Sequence, residues 1–270
     1  MNGATSNSGY TVFEALIFIV ISSFIFVSAW GLFSGRQDQT QYQQAIRELD
    51  GHIQAMLNDV STGFFPRQDD YSCTAGSNPD RVNLASGVSG QGANQDCMFL
   101  GKFMEIDDST GEWRMTVTTI AGLRPELGSN WDNVVAEAKP TPVNDPGGVS
   151  LNEARAFAWG LSLVDITDQD GVSINGFGAL SDTGSASSSG DIRSGNRNIS
   201  LYKLTSSIAQ GAGVFTPEPV SSDDAVYLCL ESPNGSQKGV IIIGKDGRQL
   251  STSIDQDATG KYNLQCGTSF

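Results

Sequence analysis

One carboxylate, Glu14, stands near the start of the apolar stretch "SGYTVFEALIFIVISSFIFVSAWGLFSGR" (8–36). Residues 12–33 contain that single charge, and residues 15–33 contain none. An ionised side chain in hydrocarbon costs on the order of a few kcal/mol unless it meets a counter-charge. Glu14 must therefore find a cationic partner or sit where it can reach the headgroups. A second set of oxygens lies in "DITDQDGVSIN", where Asp165, Asp168 and Asp170 precede Gly171 and Asn175. Carboxylates at such spacing could hold calcium, but the tract lacks the closing bidentate acid and the spacing of an EF-hand loop, so a plain turn is the favoured reading.

The cysteines offer redox chemistry. Cys73, Cys97, Cys229 and Cys266 all follow the apolar stretch and none shows CxxC spacing, which argues against zinc. In an oxidising compartment four cysteines make two disulfides with three possible pairings. The local pairing, Cys73 with Cys97 and Cys229 with Cys266, is preferred because each closes a modest loop; buried free thiols are the alternative. The lone histidine, His52, falls on a predicted helix far from the other candidates, so no hydrolase triad is announced. No Walker loop or GxGxxG follows a strand, and the adjacent acids 69–70, 107–108 and 223–224 read as solvated turns. Sixteen basic residues against thirty acidic give a net charge of -14, which disfavours a nucleic-acid partner.

The elements that must position these groups follow from periodicity. The apolar stretch matches the roughly 20 residues that cross a bilayer core. A cleaved secretory signal is a weaker reading, since its apolar region spans roughly 7 to 15 residues after a basic start, and residues 1–9 hold no Lys or Arg. Beyond Phe33, apolar residues recur at Tyr42, Ile46, Leu49, Ile53, Leu57 and Val60, a helical stripe. No proline interrupts residues 10–65, so span and stripe can form one helix of about 50 residues, or about 75 Å. Gly63 and Pro66 end it, and Gly31 and Gly35 predict a bend or melted turn where it leaves the lipid.

After residue 66 short β-rich runs alternate with Gly, Asn, Asp and Ser. Strands are expected at 99–106, 113–123, 156–166, 198–204, 225–231 and 239–244, with "GKDGRQ" turning back into "LSTSI". In 156–166 the alternation of Phe157, Trp159, Leu161 and Leu163 predicts one buried face. Residues 85–96 and 180–198 read as Gly/Ser-rich surface loops, and only 131–138 looks helical outside the long helix. The fold class is α+β: a long N-terminal transmembrane and amphipathic helix followed by one antiparallel β-rich head.

The sequence Gly9, Tyr10, Thr11, Val12, Phe13 and Glu14, running into an uninterrupted apolar helix, resembles the processing and assembly signature of type IV pilins and type II secretion pseudopilins. The resemblance covers residues 9–60 and implies a lollipop layout with a leader (1–9), a long helix (10–62, its 10–33 part transmembrane and its 34–62 part amphipathic) and an extracytoplasmic head (63–270). It implies cleavage after Gly9 by a membrane prepilin peptidase, methylation of Tyr10, and assembly through Glu14 and Thr11. It further implies other pilin or pseudopilin subunits and an inner-membrane assembly platform as partners. The chain would begin as a single-pass inner-membrane protein and end in a filament at the cell surface. Physically, the Tyr10 amine freed by cleavage can neutralise Glu14 of a neighbour in a low-dielectric filament core. Some pseudopilins carry a calcium-bound loop, so calcium is the one cofactor considered. Two readings compete with a filament subunit: a membrane-tethered adhesin that never polymerises, and an anchored extracellular enzyme.

Overall fold

A single helix, α1 (Val12–Thr62), accounts for the N-terminal part of the chain. The computed structural model describes residues 11–63, 71–75, 82–86, 97–108, 111–123, 138–143, 153–182, 198–206, 208, 215, 217–221, 223–246, 249–255 and 266. Two compact units divide the chain, Met1–Gln44 and Ala45–Phe270. The melted turn expected at Gly31 or Gly35 does not form, because α1 runs through both. Each glycine costs about 1 kcal/mol against alanine, yet propagation of an existing helix returns one hydrogen bond per residue fixed. Gly63 closes the helix in the left-handed region, φ 67°, its N–H donating to the Val60 carbonyl at 3.1 Å.

In the second unit the predicted stripe is the buried face of α1. Ile46, Leu49, Ile53, Leu57 and Val60 are buried together with Ala45 and Met56. Two polar contacts fix the helix to the strands. The Lys102 ammonium lies 2.7 Å from the Asp59 carboxylate, and Gln54 Nε2 donates to Thr252 Oγ1 at 3.0 Å.

The strands are β1 (Tyr71–Ala75), β2 (Val82–Ser86), β3 (Cys97–Asp107), β4 (Arg114–Leu123), β5 (Thr141–Pro142), β6 (Glu153–Ala156), β7 (Ser162–Thr167), β8 (Gly176–Asp182), β9 (Asn198–Leu204), β10 (Glu218–Pro219), β11 (Ala225–Glu231), β12 (Lys238–Asp246) and β13 (Gln249–Asp255). Their pairings among the described residues are all antiparallel. β1 and β2 form a small ribbon. A seven-stranded sheet has the order β10-β9-β8-β3-β4-β5, with β6 also on β4, and a four-stranded sheet has the order β13-β12-β11-β7.

One face of the larger sheet carries Leu100, Phe103, Ile120, Leu180 and Leu204, with Phe215 edge-on to Phe103 at 5.0 Å. Strand alternation puts Lys102 on the other face, toward α1. Cys229 is bonded to Cys266, 37 residues later, beside Val240, Tyr227 and Ile242. This is one of the two expected disulfides; the side chains of Cys73 and Cys97 lie outside those described.

Several strand expectations change. The run 156–166 is not one strand: β6 ends at Ala156, a 3-10 turn (Ala158–Gly160) follows, and β7 starts at Ser162. Trp159, expected on a buried face, sits in the left-handed region with φ 58° and is 54% exposed. The reason is topological, since β6 joins β4 whereas β7 joins β11, and the chain must change sheets between them. Residues 180–182, read as loop, belong to β8. That strand is glycine-rich because Gly178 lies opposite Phe103, where a Cβ would overlap the ring and come 2.5 Å from the Lys102 carbonyl oxygen. Residues 85–86, also read as loop, close β2. Ala138, at the end of the expected short helix, is in a turn; 131–137, 87–96 and 183–197 lie outside the described residues.

Candidate functional site

Two places gather the residues singled out for chemistry. At the start of α1, the Thr11 backbone N–H and hydroxyl both donate to Glu14 Oε2 at 3.0 Å. The Glu14 N–H approaches Thr11 Oγ1 at 3.4 Å, and the Ala15 N–H donates to the Thr11 carbonyl at 3.2 Å. This is a capping box: Thr11 is the N-cap and Glu14 the third helical residue, each satisfying a backbone donor of the other. Its signal, Thr-x-x-Glu before an apolar run, is present in the sequence and is an additional reading of the same two residues. Gly9 and Tyr10 lie outside the described residues.

Glu14 stands at the third position of a 19-residue span, Val12–Trp30, whose mean hydropathy is 2.4 and none of whose residues is buried within the chain. The helix is long and apolar enough to cross a membrane. Two of its three serine hydroxyls are satisfied from within: Ser23 Oγ donates to the Ile19 carbonyl at 2.7 Å and Ser28 Oγ to that of Phe24 at 2.8 Å. No hydroxyl proton on those two residues then needs water, as a lipid-facing surface requires. Phe26 and Trp30 meet one turn apart, ring centres 6.0 Å, at the C-terminal end of the span.

The second place is the turn after β7. Asp168 is almost fully buried, and its Oδ2 accepts from the Lys203 ammonium of β9 at 2.8 Å. Its Oδ1 accepts from the N–H groups of Asp170 at 3.1 Å and Val172 at 2.9 Å. Asp165 is used separately, accepting from the Ile166 N–H at 2.8 Å and the Ser173 hydroxyl at 2.6 Å. Asp170 is exposed. The three carboxylates are thus not gathered, and among the described residues no group of three His, Cys, Asp or Glu is placed to hold a metal ion. The cation that meets Asp168 among the described residues is the Lys203 ammonium. The Asp168–Lys203 pair also ties the four-stranded sheet to the seven-stranded one, since β7 and β9 belong to different sheets.

The two groups shift each other. Burial pushes the Asp168 carboxyl up, but the Lys203 hydrogen bond and charge, with the N–H groups of Val172 and Asp170, outweigh it and hold the carboxyl below its usual range. The hydrogen bond to Asp168 lifts Lys203 above its usual value, with burial opposing and the charges of Asp168, Glu218 and Asp170 helping. A depressed carboxyl stabilises the fold above its unfolded pKa of about 4 and loses that contribution as pH falls through the folded value. A raised lysine stabilises below its unfolded pKa of about 10.4 and loses that contribution as pH rises through the folded value. Thermal midpoints of the full chain in detergent should therefore be flat with respect to this pair between those limits and fall outside them. Asp168→Asn should lower the midpoint at neutral pH and flatten the acid side. Added calcium should leave the wild-type midpoint unchanged; a calcium-dependent rise that Asp168→Asn abolishes would restore the cation-site reading.

His52 lies 3.9 Å from Glu48 one turn earlier on α1. Comparison of the chain with family models, with curated proteins and with solved structures finds no match.

Proposed function

We propose that the chain is a structural subunit, of the minor kind, of a type IV pilus or type II secretion-like filament. In this reading residues 1–9 are a leader removed after Gly9 by a prepilin peptidase, and Tyr10 becomes a methylated amino terminus. The span 10–33 holds the subunit in the inner membrane until an assembly platform draws it into a filament of related subunits, displaying the head 63–270 outside. Nothing in the proposal needs a catalytic residue or cofactor.

The observation that carries the reading is a carboxylate held by Thr11 at the third position of a 19-residue apolar span whose surface is otherwise left exposed. An exposed apolar surface of that length needs lipid before assembly and equivalent helices afterwards. The charge at its head gives those helices a register, because a counter-charge in low dielectric rewards one axial position over others. The disulfide Cys229–Cys266 fits a head that faces an oxidising compartment.

The cap itself favours a second reading, a membrane-tethered adhesin that does not polymerise. It gives Glu14 a task at the helix terminus that requires no neighbour. Mass spectrometry of the mature amino terminus tests the proposal first. A chain beginning at an N-methylated Tyr10 is expected; an intact Met1, or cleavage beyond the apolar span, would remove the filament reading.

A further inference from the structure

Two Asn-x-Ser sequences without an intervening proline occur in the chain, Asn198-Ile199-Ser200 and Asn234-Gly235-Ser236. This spacing is the acceptor for N-linked sugars, which are bulky and require a surface turn. The fold treats the two differently. Asn198, Ile199 and Ser200 are paired with Asp182, Ser181 and Leu180 of β8, and Ile199 and Ser200 are half-buried. Offering Asn198 to an enzyme would strip the start of β9 from its neighbour.

Asn234 lies in the connection between β11 and β12, where Pro233, Asn234, Gly235 and Ser236 are all exposed. Gly235 takes φ 67°, which lets the chain reverse within a few residues, and its N–H donates to the Ser232 carbonyl at 2.8 Å. The Asn234 amide oxygen accepts from the Ser236 N–H at 3.1 Å, the Ser236 hydroxyl at 2.6 Å and the Ser232 hydroxyl at 2.8 Å. The acceptor amide and the hydroxyl two residues on thus stand side by side. These bonds all fall within residues 232–236, so the turn can be reshaped on an enzyme without opening the β11–β12 ladder.

A second feature borders the same turn. A Cβ built at Gly160 would lie 3.0 Å from Pro233 Cγ, so the 3-10 turn 158–160 abuts the connection that carries Asn234. That turn holds Trp159 in the left-handed region and 54% exposed, two costs that a large apolar residue rarely bears together. A sugar beside it would cover the indole face.

We propose that Asn234 is a site of N-linked glycosylation, its donor an oligosaccharide carried on a polyprenyl diphosphate in the membrane that holds the span. The Asn234 amide nitrogen forms a bond to the anomeric carbon as the bond from that carbon to the diphosphate oxygen breaks. The amide proton passes to a base of the transferase, and the lipid diphosphate leaves. The step requires a head outside the membrane, the location in which the Cys229–Cys266 disulfide also forms and which the filament and the tethered readings share.

Mass spectrometry of tryptic peptides from the full chain, purified from its native cells, tests it. Residues 204–238 form one such peptide and carry Cys229 and Asn234, 198–203 carry Asn198, and 262–270 carry Cys266. In chains whose Cys229–Cys266 bond has formed, the first peptide should carry sugar on Asn234 and the second none. Asn234→Gln and Ser236→Ala should each abolish the sugar, and Ser236→Thr should keep it. A bare or merely deamidated Asn234 in those chains, a head that never forms the disulfide, or sugar on Asn198 instead would overturn the proposal. Sugar that survives Asn234→Gln would also overturn it, in favour of a serine-linked chain. Methylation of Tyr10 is read on a separate peptide, so this site and the filament reading can fail independently.

Discussion

Sheared filaments from cells carrying Glu14→Gln should contain about a hundredfold less of this chain than wild type, with its level in the membrane fraction unchanged. Removing one partner of a buried ion pair leaves the other charge unmatched at a cost of about 3–5 kcal/mol, and 1.4 kcal/mol is a factor of ten in an equilibrium. Glutamine is the informative replacement because it also serves in a capping box. Its side-chain oxygen can still accept from the Thr11 N–H and hydroxyl, which now lie 3.0 Å from Glu14 Oε2. The start of α1 is thereby kept and only the charge is lost. Glu14→Leu, which loses both, should lower incorporation and fray the first turn as well. Were Glu14→Gln to leave incorporation at the wild-type level, the carboxylate would be a cap alone and the tethered adhesin the better account.

Asp59→Ala should destabilise the second unit by about 3 kcal/mol, a drop of on the order of 6–12 °C in the thermal midpoint for a unit of this size. Lys102 is only 4% exposed, and the Asp59 carboxylate at 2.7 Å balances its charge. Without it an ammonium is left inside the interface between α1 and β3. Lys102→Met should cost far less, within about 1 kcal/mol, because the stem is replaced and Asp59, more exposed than its partner, can turn to water. The double substitution should recover most of the Asp59→Ala loss. Similar midpoints for the two single variants would mean that the pair does not hold the helix to the sheet.

Much of this protein is legible in its residues because the signals are local. The stripe Ile46, Leu49, Ile53, Leu57 and Val60 reads as one helical face from spacing alone, and that face is buried. The strands 198–204 and 225–231 fall on the expected residues, bounded as they are by turn formers. Cys229 finds Cys266, the nearer partner along the chain. Thr11 and Glu14 are paired by a four-residue motif that any helix start would use.

Where the chain was misread, the missing information was what lies across from it. Residues 180–182, the end of β8, look like the start of a Gly/Ser-rich loop, yet pairing of Leu180, Ser181 and Asp182 with Ser200, Ile199 and Asn198 of β9 carries the strand through them, while the ring of Phe103 on β3 leaves no room for a larger residue at Gly178. Residues 156–166 look like one strand because their alternation is regular, yet their partners, β4 and β11, lie in different sheets and force a turn at Trp159. The acids of 165–170 read as a turn, but which of them meets a cation was not legible there: Lys203, distant in sequence, pairs with Asp168. Periodicity and short motifs thus determined the helix, its apolar span and its cap, since those depend on neighbours within about one turn. Sheet membership, the tolerance for glycine and the partners of each carboxylate were decided only by the tertiary structure, because each depends on groups that pairing brings together from far along the chain.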